Sequence, residues 1–153
     1  MVYKNVKLIF VILLAAVLSG CLPKTQETII NSHAEAFLTK NNELQFRFKI
    51  NEEILSGEDV YKVKVSIHNE KLAKALGKDE IIYGSNYNHA GEYIEVKNKK
   101  DHFISMNPIP LLLDLHVFEI EEMIVNEDAV SVEVYNDEEV IGKAFLTNFS
   151  SQF

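Results

Sequence analysis

Apolar and polar residues alternate at period two through much of the chain. Leu44, Phe46, Phe48 and Ile50 alternate with Gln45, Arg47 and Lys49, and Tyr61, Val63, Val65 and Ile67 alternate with Lys62, Lys64 and Ser66. Val130, Val132 and Val134 alternate in the same way with Ser131, Glu133 and Tyr135. Successive strand side chains point to opposite faces, so each run predicts a strand with one buried face. The polar connection 136–139 between Val130–Tyr135 and 140–146 predicts a terminal β-hairpin. Shorter strands are expected at 80–83, 93–96 and 103–106. The stretch 111–120 is longer and more apolar, as a central strand would be, although its alternation slips around Phe118 as at a bulge. Residues 34–38 fit an initial strand or a helical turn.

One segment breaks the period. Asn69-Glu70-Lys71-Leu72-Ala73-Lys74-Ala75-Leu76-Gly77 combines helix formers, an asparagine cap and a glycine just past the end, which predicts a two-turn helix. Seven or eight short strands and one short helix predict a mainly β fold, an antiparallel β-sandwich of immunoglobulin-like architecture. An α+β sheet or a small barrel is the alternative. A single cysteine and no tryptophan leave the immunoglobulin hallmarks absent, so only the architecture is implied.

The first twenty residues follow a different logic. Lys4 and Lys7 precede an unbroken apolar core at 8–17, and Ser19 and Gly20 are small. That layout is an export signal. The apolar stretch 8–18 has eleven residues, well short of the roughly 20 that a membrane span needs. The tetrapeptide Leu18-Ser19-Gly20-Cys21 places the only cysteine of the chain directly behind this core, and it resembles the lipobox of bacterial lipoproteins. The resemblance implies cleavage before Cys21 and a diacylglyceryl group on its thiol. Two acyl chains hold a protein firmly, whereas one holds it marginally. The expected organisation is a cleaved signal peptide at 1–20, a lipidated tether at 21–32 and a single β-rich extracytoplasmic domain at 33–153. The expected location is the outer face of the cell membrane.

Charge narrows the function. The full chain has 15 basic and 23 acidic residues, and removing Lys4 and Lys7 leaves 13 against 23. An acidic domain is repelled by nucleic-acid phosphates and anionic lipid, so nucleic-acid binding is excluded and a charged partner is expected to be basic. His33, His68, His89, His102 and His116 are not spaced as metal ligands, and the acidic runs 119–122 and 137–139 lack the spacing of a calcium loop. No metal or cofactor is expected. No nucleophile elbow or phosphate-cradling glycine loop is present, so the chain is expected not to be an enzyme.

The stretch Tyr83-Gly84-Ser85-Asn86-Tyr87-Asn88-His89-Ala90-Gly91, followed by Tyr93, is the sequence's candidate contact surface. Tyrosine gives rigid amphipathic area while Asn and Ser give adaptable hydrogen bonds. Tyr83, Asn86, Tyr87, Asn88, His89 and Tyr93 are therefore candidate partner-binding residues. The alternative is an exposed turn whose flanking tyrosines belong to strands. The function expected is a non-enzymatic lipoprotein that binds an envelope component or membrane protein. Two alternatives are an exclusion lipoprotein of a prophage or mobile element and an accessory solute-binding lipoprotein.

Overall fold

The computed structural model describes residues 28–30, 33–55, 60–83, 85–86, 89–90, 94–95 and 101–153. In chain order the strands are β1 (Glu35–Leu38), β2 (Glu43–Ile50), β3 (Val60–Ile67), β4 (Glu80–Ile82), β5 (Ser85–Asn86), β6 (His89–Ala90), β7 (Ile94–Glu95), β8 (His102–Ser105), β9 (Ile109–Pro110), β10 (Val130–Tyr135), β11 (Val140–Phe145) and β12 (Asn148–Ser151). Two helices, α1 (Glu70–Leu76) and α2 (Val117–Asn126), complete the set. The fold is a β-sandwich. One sheet has the order β12-β1-β2-β8 with β9 also on β2, and the other has β11-β10-β3-β4 with β7 also on β3.

The alternation in sequence becomes the core. Leu44, Phe46, Phe48 and Ile50 of β2, Tyr61, Val63, Val65 and Ile67 of β3 and Val130, Val132 and Val134 of β10 join one buried cluster. Each such side chain contributes about 1.5–3 kcal/mol by leaving water. The predicted hairpin is β10–β11, with a register shift beside Val134 and Tyr135. The pairing of β1 with β12 is parallel, unlike the rest, because β12 crosses back to the first sheet and runs alongside β1.

Helix α1 forms as its sequence predicts. The Asn69 side chain accepts from the backbone N–H groups of Lys71 and Leu72, and Gly77 ends the helix at φ +68°, a left-handed conformation that glycine adopts without Cβ strain.

Residues 111–120 are not a central strand. Residues 111–116 form a connection held by Leu111 N–H donating to Asn42 O (3.0 Å) and Leu112 N–H donating to Ala75 O (2.7 Å). From Val117 the chain is helical. The slip at Phe118 is a change of period from 2 to 3.6, since Ile120, Met123 and Ile124 are buried on one face. His116 is therefore not a strand residue. It caps α2, its Nδ1 accepting from Phe118 N–H at 3.3 Å.

The sandwich has two distinguishable poles. At the N-terminal pole Ile29 bridges Ile50, Ile30 N–H donates to Lys49 O (3.0 Å) and Asn51 N–H donates to Thr28 O (2.9 Å). Thr28 and Ile29 are buried, so the folded domain already includes residues ahead of His33. The distal pole holds the start of β2, the end of β3, α1 and the connection into α2. At the strand rise of about 3.3 Å per residue, the two ends of β2 lie about 23 Å apart.

Candidate functional site at the distal pole

Tyr83, Asn86 and His89 are the described members of the sequence's candidate set. Tyr83 extends β4, its N–H donating to Val63 O (2.9 Å), and its half-buried ring packs on the core. Beyond the candidate stretch, Ile94 pairs with Tyr61 near the start of β3. Within it Asn86 pairs with His89 across β5 and β6. Tyr87, Asn88 and Tyr93 lie outside the described residues, as does Cys21.

What the distal pole displays is apolar. Leu112 is 69% exposed, Leu113 43% and Phe118 70%, all within seven consecutive residues. Single exposed apolar residues are ordinary, but a grouping of large ones marks an interaction surface. Three contacts fix the group. Leu112 lies over the end of α1, its Cδ1 2.8 Å from where a Cβ on Gly77 would sit. The Phe118 ring stacks on His116 with centroids 5.2 Å apart. Lys71 of α1 forms an ion pair with Glu119 in the first turn of α2.

The segment that carries these apolar residues is acidic, beside the lysines of α1 and its end, Lys71, Lys74 and Lys78. Residues 111–129 contain Asp114, Glu119, Glu121, Glu122, Glu127 and Asp128 and no lysine or arginine. Glu121 and Glu122 follow Phe118 by three and four positions, which sets them on its helical face, and both are exposed. Glu122 accepts a hydrogen bond from Asn126 (2.7 Å).

On the other side of α1 is an open cleft of about 490 Å³ lined by His68, Glu70, Lys74, Gly77, Lys78 and Asp79 among others. His68 also makes a contact with catalytic overtones, its Nε2 lying 2.8 Å from Ser131 Oγ. Ser131 is 0% exposed, and His68 packs against Phe145 at 5.6 Å between ring centroids. A nucleophile must approach its substrate to about 3–3.5 Å, and a sealed hydroxyl has no such access. The pair satisfies a buried polar group.

The strongest charge cluster is also architectural. On the outer face of the second sheet Glu133 receives Lys143 (2.8 Å) and Lys64 (3.0 Å). Hydrogen bonds from Lys143 and then Lys64 hold the Glu133 carboxyl below its usual value. The hydrogen bond to Glu133 raises Lys64 above its own.

Among the described residues no group of three potential metal ligands occurs, and no helix is long and apolar enough to cross a membrane. The chain matches no protein-family model, no curated protein and no solved structure.

Proposed function

We propose that the protein is a bacterial lipoprotein, anchored through diacylglyceryl Cys21 at the extracytoplasmic face of the cell membrane, whose sandwich captures an envelope or membrane protein without catalysis. The observation that carries the reading is Leu18-Ser19-Gly20-Cys21 directly behind the ten-residue apolar core 8–17. The geometry of the domain supports it. Thr28 is already built into the sandwich, so only seven chain steps separate it from Cys21. Fully extended they reach about 25 Å. The domain then rests near the bilayer with its N-terminal pole inward.

Replacing Cys21 with Ala tests the anchor. The expected result is loss of lipid labelling and release from the membrane fraction; unlabelled wild-type protein, or a variant that stays in the membrane fraction, overturns it.

A second reading, an accessory solute-binding lipoprotein, is favoured by the cleft beside α1. Its 490 Å³ falls within the span of small-ligand pockets. Its open shape and mixed charges suit a small zwitterion. Saturable heat of binding on calorimetric titration with amino acids, lost in Lys74→Ala, would support this reading, and no heat of binding would remove it.

A further inference from the structure

We infer that the distal pole is the protein's docking surface, and that its occupant is a basic amphipathic segment of a partner protein. The inference deepens the binding role proposed above, since the anchor is what turns this pole away from the bilayer. Leu112, Leu113 and Phe118 supply an apolar anchor site, and Glu121 and Glu122 flank Phe118 along α2. Exposed aromatic residues such as Phe118 are enriched at protein interfaces, with charged groups at the rim setting partner choice.

Charge decides between occupants. The six carboxylates of 111–129 have no cation in that stretch, and only Glu119 is met by Lys71 from α1. A second copy of this chain would bring the same carboxylates face to face. Anionic lipid would be repelled in the same way. A segment with leucines on one side and lysines or arginines on the other meets both the apolar surface and the acidic rim.

The chain has no tryptophan, so Phe118→Trp installs a single fluorophore at the site and Val140→Trp installs one at the opposite pole. Lipidated full-length protein in non-ionic detergent is titrated with a synthetic helical peptide bearing a leucine face and a lysine face, and with a counterpart in which glutamate replaces every lysine. The expected result is a saturable blue shift of the tryptophan at position 118 with the lysine peptide alone, and no shift at position 140. Adding Glu121→Lys and Glu122→Lys should weaken binding by about tenfold or more, because like charges then meet across the rim.

A shift with both peptides, or at both poles, shows apolar adsorption and overturns the proposal. So does no shift, or a shift that grows with protein concentration before peptide is added, which is self-association. Both glutamates are exposed, and unchanged circular dichroism verifies that the double variant folds. The titration does not depend on where lipid is attached, so its failure leaves the Cys21 reading standing. A failed Cys21 fractionation likewise leaves this surface standing.

Discussion

Gly142 is small for reasons of space. A Cβ there would sit 2.5 Å from the Cβ of Thr28, so the glycine opens the slot through which the first described residues join β11 to the end of β2. Gly142→Ala is expected to cost about 1–3 kcal/mol by overpacking. Thr28→Gly in the same chain should recover part of that loss in urea denaturation; an additive double variant would place the strain elsewhere. Glu133 bears on pH. Its carboxyl is held below 4.5 by Lys143 and Lys64, so the unfolded chain binds the proton more readily. That contribution is complete above pH 4.5 and drains away as pH falls through the folded value. Lys64 is raised above 10.5, chiefly by Glu133, so its contribution is complete below 10.5 and is lost as pH rises through the folded value. Glu133→Gln should cost about 1–2 kcal/mol at neutral pH, given partial solvent screening, and should flatten the acid limb of stability. An acid limb identical to wild type would show that other carboxylates govern it.

At the scale of elements, the decisive contrast is between Phe118 and Ile120. In a strand they would share a face; in α2 Phe118 is 70% exposed and Ile120 is 0% exposed. Ile120→Ala should therefore cost about 2–5 kcal/mol, while Phe118→Ser should stay within about 0.5 kcal/mol. Equal costs in thermal or urea unfolding would argue for a strand. The same contrast explains what the sequence could disclose. Strands β2, β3 and β10 were legible because apolar residues recur at every second position in each, and α1 was legible through Asn69 and Gly77. Helix α2 was not, because Leu111, Leu112 and Leu113 run into Val117 and Phe118 and mimic a buried strand. Strand β12 was not, because Asn148-Phe149-Ser150-Ser151 has little alternation and pairs with a strand more than a hundred positions away. The distal surface was hidden for a different reason. Apolar residues predict burial, and only the packed fold shows that Leu112, Leu113 and Phe118 are left outside.

For the molecule as a whole, tether length and domain length compete. The seven steps from Cys21 to Thr28 reach about 25 Å at full extension, and β2 spans about 23 Å between the poles. Inverting the domain would require the tether to lie almost straight along its side, at the full entropic cost of ordering it. Under the proposed anchor, the N-terminal pole inward is the arrangement that leaves the tether relaxed, despite the repulsion between an acidic domain and anionic lipid. Cys21 is the only cysteine; if lipid consumes it as proposed, one introduced cysteine reports on one place. Val140→Cys, exposed at the start of β11, should react more slowly with a membrane-impermeant maleimide in vesicles than in detergent. Phe118→Cys at the distal pole should react at the same rate in both. Slowing at position 118 instead would mean that the acidic, apolar pole faces the bilayer, and the surface would then be closed to a partner.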